Sequence, residues 1–127
     1  MRDFRQIAVW QKAHQLTLRI YDVVQSFPST EKFGLTTQIT RASSSIGANI
    51  AEGCGRGGDG ELCRFLKIAI GSAFELDNHL LLARDLTFIS PESYSTLEHE
   101  VREVERMLGA FIRKIQSDIN HNDQLSS

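Results

Sequence analysis

Residues 61–86 read ELCRFLKIAIGSAFELDNHLLLARDL, and the spacing of their apolar side chains decides the fold. Leu62, Leu66, Ala69, Ala73, Leu76, Leu80 and Ala83 recur at alternating steps of four and three, the period of one face of an α-helix. A strand would need alternation by two, and no proline interrupts the stretch. A second apolar stripe, Ile70, Phe74, Leu81 and Phe88, falls about a quarter to a third of a turn from the first. This helix therefore carries more apolar surface than one core face explains.

Downstream, Ser90-Pro91-Glu92 combines an N-cap residue, proline at the first helical position and an acid in the first turn, which predicts the start of another helix. Its stripe is Leu97, Val101, Val104, Leu108, Phe111 and Ile115. Residues 118–127, DINHNDQLSS, are polar and read as a frayed, disordered tail, so the folded domain is expected over 1–117. Upstream, Gly53-Cys-Gly-Arg-Gly-Gly-Asp-Gly60 is rich in glycine and predicts a loop. Before it, Ser29 or Thr30 serves as the expected cap of a helix with the stripe Leu35, Ile39, Ala42, Ile46 and Asn49 or Ile50, ending near Gly53. The first helix is expected over 7–27, on Trp10, Ala13, Thr17, Ile20, Val24 and Phe27, with Pro28 stopping it. Four long helices joined by short connections predict an all-α, antiparallel up-down-up-down four-helix bundle. The competing arrangement is a helical hairpin pair that completes its core with another chain.

Composition narrows the function. With 41% hydrophobic and 24% charged residues the chain has the balance of a folded domain, not of a disordered one. The N-terminal MRDFRQIAVWQKAHQ lacks the apolar core of a secretion signal, and no apolar run approaches the ~18 residues needed to span a bilayer, so a cytoplasmic protein without a membrane partner is expected. Cys54 and Cys63 lie nine apart, which is neither a redox pair nor zinc-ligand spacing. Net charge is −2, with seven Lys/Arg against four Asp/Glu in residues 1–57 and seven against twelve in 58–127. That is far from the basic footprint of a typical nucleic-acid binder.

The sequence carries fragments of several catalytic and cofactor patterns. Gly55-Arg-Gly-Gly-Asp-Gly60 matches the letters of a dinucleotide fingerprint, but a helix precedes it where a strand is required. A phosphate held by the start of the third helix with Arg56, Arg64 or Lys67 is the weaker remnant of that idea. No Glu-x-x-His occurs, which removes the di-iron pattern of helical bundles, and Glu75 with His79 falls on a polar face. His14, His99 and His121 have no partner at metal-ligand spacing. Ser43-Ser44-Ser45 sits mid-helix, where hydroxyls more often bond to backbone than react. The expectation is a protein without catalytic residues, cofactor, metal or small-molecule substrate. The second helix adds an arc of small residues, Thr36, Thr40, Ser43, Gly47 and Ala51, that would let another backbone approach. With Ile70, Phe74, Leu81 and Phe88, this arc forms the candidate subunit interface. Arg2, Arg5, Lys12 and Arg19 are the candidate nucleic-acid contacts, adding up across an assembled ring.

Several segments also carry a resemblance: Val9-Trp-Gln-Lys-Ala13, Phe27-Pro28 with Glu31, Gly34-Leu35, Gln38-Ile39 with Arg41-Ala42, Ser45-Ile46, Asn49-Ile-Ala-Glu-Gly53, Arg56, and Phe65-Leu66 leading to Ala69-Ile-Gly-Ser72 with Glu75-Leu76. Together they resemble the bacterial four-helix-bundle proteins encoded within intervening sequences of 23S rRNA genes. The resemblance implies an antiparallel four-helix bundle and a ring-like homo-oligomer, with a pentamer the favoured size. It also implies kinship with the accessory proteins of diversity-generating retroelements, which bind nucleic acid and a reverse transcriptase. Those relatives are strongly basic, and this chain, with a pI of about 6.1, departs from them. Arg41, Asn49, Glu52 and Arg56 stand at the motif's polar positions, where they are expected to organise the end of the second helix or a subunit contact.

Overall fold

A computed structural model describes residues 2–126, and four helices dominate it: α1 (Ala8–Val23), α2 (Leu35–Gly55), α3 (Asp59–Asp85) and α4 (Pro91–Ser126). Short 3-10 turns at Phe4–Gln6, Val24–Ser26 and Ser29–Glu31 complete the secondary structure, and the described residues contain no strand. Each helix packs on the next in sequence, and α1 closes the bundle against α4. The core is thus completed within one chain, and the swapped hairpin pair is not needed.

The side chains at the predicted stripe positions are those removed from water. Ile20, Ile39, Ile46, Ile50, Leu66, Leu76, Leu80, Val101, Val104, Leu108 and Ile115 are fully buried. Ala13, Ala42, Ala69, Ala73 and Ala83 lie between them, small enough for the helix axes to approach. Val9 and Leu16 belong to the core of α1, while Trp10 is half-buried and stacks on His14 with ring centroids 4.8 Å apart. On α4, Ile112 is buried and Phe111 only half-buried, one residue away from the expected stripe.

Helix ends show where local rules held and where packing overrode them. Ser90 caps α4 as its sequence suggests, its Oγ accepting from the Ser93 N–H at 3.1 Å. Ser29 and Thr30 do not cap α2. They form an isolated 3-10 turn, and α2 begins six residues later at Leu35, after Gly34. The glycine-rich loop is far shorter than expected, because α2 continues to Gly55 and α3 starts at Asp59. Only Gly57, with φ +89°, needs glycine's left-handed freedom to turn the chain. α3 ends in a Schellman motif, with Phe88 N–H bonded to Ala83 O and Thr87 N–H to Arg84 O, both at 2.9 Å. Thr87 holds the left-handed position, at φ 63°, where glycine is usual. Finally, the tail expected to fray from residue 118 continues α4 through Ser126. Asp118 pairs with Lys114 at 3.4 Å and Ile119 packs half-buried against the core, so polar composition there did not prevent a helix with one anchoring face.

Candidate functional site

The motif residues of α2 meet α3 along one seam. Ser45 Oγ and Ser72 Oγ hydrogen-bond across it at 2.9 Å. One turn on, the Asn49 amide donates to Ser45 O at 2.8 Å and to Ser45 Oγ at 2.9 Å, which fixes the serine toward α3. Gly53 then admits α3 at close range: a Cβ there would lie 2.9 Å from Phe65 Cβ and 3.1 Å from Leu62 Cδ1. Glu52 holds Arg56 at 2.9 Å, and the Arg56 guanidinium lies over the Phe65 ring, 5.1 Å from its centroid. Arg64 covers the same ring at 4.4 Å while pairing with Glu61 at 2.7 Å. Asn49, Glu52 and Arg56 therefore sit together at the α2–α3 turn, bonded within the subunit. Arg41 lies apart, exposed two turns earlier.

The small-residue arc of α2 faces inward. Thr17 Oγ1 of α1 donates to Ser43 O at 3.0 Å, Ser43 is fully buried, and a Cβ at Gly47 would meet Trp10 Nε1 at 3.3 Å. Ser43 and Gly47 accordingly leave the candidate interface: they let α1, not a second chain, approach α2. A helical wheel registers the small surface but not which neighbour fills it. Thr36 and Thr40 are half-buried, and the Thr40 hydroxyl bonds back to Thr36 O at 2.9 Å.

The second stripe of α3 divides in the same way. Phe88 packs on Phe27 with centroids 5.6 Å apart, closing one end of the core, and Ile70 is half-buried against it. Phe74 and Leu81 stay in water, 57% and 37% exposed. They lie on the side of Asp77 and Arg84, toward α4. Ile68, Leu82 and Leu86 are also exposed, on the side of Ser72 and Glu75, toward α2. The sequence reading missed this second flank, because Gly71, Ser72 and Glu75 interrupt its apolar spacing.

The candidate cationic residues do not form a free basic surface. Arg2 pairs with Asp59 at 3.6 Å, Arg5 with Asp3 at 3.3 Å and Arg19 with Glu100 at 3.0 Å. Lys12 lies near Glu103, whose carboxyl is held below its ordinary range first by the Arg106 hydrogen bond, with Lys12 adding to the effect.

The Ser43, Ser44 and Ser45 hydroxyls and the Glu75–His79 pair are engaged in hydrogen bonds within the subunit. Ser43 and Ser44 hydroxyls donate to Thr40 O and Arg41 O, and Ser45 is engaged by Ser72 and Asn49. Glu75 meets His79 at 3.3 Å, and only the glutamate is on the exposed face expected for the pair: the His79 side chain is 18% exposed, with Nδ1 shut off from water and unpartnered. Among the described residues no three His, Cys, Asp or Glu side chains gather as metal ligands. Cys54 and Cys63 are free and buried, and burial pushes the Cys54 thiol up, away from its reactive thiolate. A shallow groove lined by Ile7, Ala8, Val9, Met107, Ala110 and Phe111 is largely apolar, and its one charged side chain, Arg106, is paired with Glu103 at 2.6 Å.

These features define an all-α four-helix bundle with a bonded α2–α3 seam and apolar side chains left on both flanks of α3. The chain belongs to the 23S rRNA-intervening sequence protein family, whose model matches residues 5–110. It is similar to a solved structure described as a protein with unknown function from the S23 ribosomal protein family of Bacteroides thetaiotaomicron. The two are 26% identical, with a TM-score of 0.76 over 83% of this chain and 95% of that one. Among curated proteins none matches this chain. No helix of the described residues is long and apolar enough to cross a membrane.

Proposed function

We propose that this protein is a non-enzymatic scaffold that acts by assembling with copies of itself, as a closed ring for which five subunits is the favoured size. The observation that carries this reading is the exposure of Phe74 and Leu81 on one flank of α3 and of Ile68, Leu82 and Leu86 on the other. Apolar side chains at helical spacing on a folded monomer mark surface that a partner covers. A two-fold dimer uses one self-complementary patch, whereas two unlike patches suit head-to-tail contact, which closes into a ring when the rotation permits. The free, buried Cys54 and Cys63 are in keeping with a reducing cytoplasm.

Light scattering on the full chain at micromolar concentration tests the reading. Wild type is expected as a multimer, and Phe74→Glu with Leu81→Glu as a monomer of unchanged helicity by circular dichroism. A monomeric wild type overturns it. The alternative, nucleic-acid binding by the assembled ring, relies on Arg2, Arg5, Lys12 and Arg19, three of which are already ion-paired within the subunit. We expect no salt-sensitive gel shift with RNA or DNA. A shift that weakens with salt and on Lys12→Glu would favour the alternative instead.

A further inference from the structure

Between α3 and α4 the seam contains a buried acceptor that has no donor. Glu105 Oε2 of α4 is shut off from water and takes no hydrogen bond from any described side chain, yet the Asp77 carboxyl of α3 lies within hydrogen-bond reach of Glu105. Two carboxylate oxygens are both acceptors, so their contact is repulsive unless one of them carries a proton. Arg102 on α4 draws the Glu105 carboxyl down, the smallest of the effects on it, and pairs with Glu98 at 2.9 Å. Farther along the seam Arg84 is engaged by Asp85 at 3.0 Å and lies over the Tyr94 ring. On the other neighbour of α4, the α1 cations Arg19 and Lys12 face Glu100 and Glu103 on the opposite flank. Among the described residues no cation forms an ion pair with Asp77 or Glu105, and Glu105 Oε2 is left buried without a donor.

We propose that Glu105, in its protonated form, donates a hydrogen bond to Asp77 across the α3–α4 seam, making the contact a pH-sensitive latch that holds the helices together and weakens when Glu105 ionises. Burial first, and then Asp77, pushes the Glu105 carboxyl up to about 7 from its ordinary 4.5. The folded chain therefore keeps a proton that the unfolded chain releases. The resulting stability is fully present below about 4.5 and is lost as the pH rises through about 7. Phe74 and Leu81, one turn to either side of Asp77, ride on the helix that the latch holds.

Thermal unfolding of the full chain, wild type against Glu105→Gln, tests the latch between about pH 5 and 8. Glutamine donates the same hydrogen bond to Asp77 without titrating. Wild type is expected to lose several degrees relative to Glu105→Gln across this range. Parallel curves overturn the proposal. If Glu105→Gln does not fold, infrared spectra of wild type and Asp77→Asn decide. The wild type should show a protonated carboxylic acid band that disappears with a midpoint near neutrality, and in Asp77→Asn that midpoint should fall toward the ordinary carboxylate range. A wild-type midpoint already in that range rejects the proposal.

Discussion

Gly53 and Gly71 both sit inside helices, and their surroundings set opposite outcomes for the same substitution. A Cβ at Gly53 would be 2.9 Å from Phe65 Cβ and 3.4 Å from the Leu62 backbone, atoms that cannot swing aside. Gly53→Ala should therefore push α2 from α3 and cost about 1–3 kcal/mol, in the range of overpacked cores. At Gly71 nothing lies within 4 Å, and alanine there should stabilise α3 by about 1 kcal/mol through helix propensity alone. Chemical denaturation of the two variants reads both signs. If Gly53→Ala were neutral, the close α2–α3 approach would be wrong. In the sequence Gly53 looked like a helix terminator, because composition registers the flexibility of a glycine-rich run and not the neighbour that needs the missing side chain. The Asp77–Glu105 pair was hidden for a similar reason: the residues are 28 apart in sequence and meet only through tertiary packing.

At the scale of elements, the apolar period was strong enough to locate all four helices, since Leu62 to Ala83 and Leu97 to Ile115 repeat over several turns. Boundaries followed packing where capping signals were weak, as Leu35, Gly55 and the length of α4 illustrate. The end of α4 makes this testable. Ile119 is half-buried against the core, so Ile119→Ala should lower stability by about 1 kcal/mol, the value of partly burying an aliphatic side chain. An unchanged unfolding midpoint would mean that the segment after Ser117 frays as its polarity first suggested. Of the interface residues chosen from helical wheels, Phe74 and Leu81 are exposed, while Ser43, Gly47 and Phe88 serve contacts within the chain. A wheel shows how wide an apolar or small-residue arc is, but the same width serves a neighbouring helix or a neighbouring subunit.

For the whole molecule, the bundle hides its main core without help, and α3 carries exposed apolar side chains on two flanks, beside the separate exposed Phe33 ahead of α2 and Leu18 and Tyr21 on α1. The slightly acidic charge and the internal pairing of Arg2, Arg5 and Arg19 weaken these residues as contacts for a polyanion. Self-association is the role we propose from the exposed apolar residues, and two unlike sides suit head-to-tail contact of the kind that can close into a ring. Native mass spectrometry of the full chain measures this directly. One closed species of more than two subunits is expected, with five the size that the family resemblance implies, and Phe74→Glu with Leu81→Glu should break it down to monomers. A spectrum containing only the monomer at micromolar concentration would contradict it.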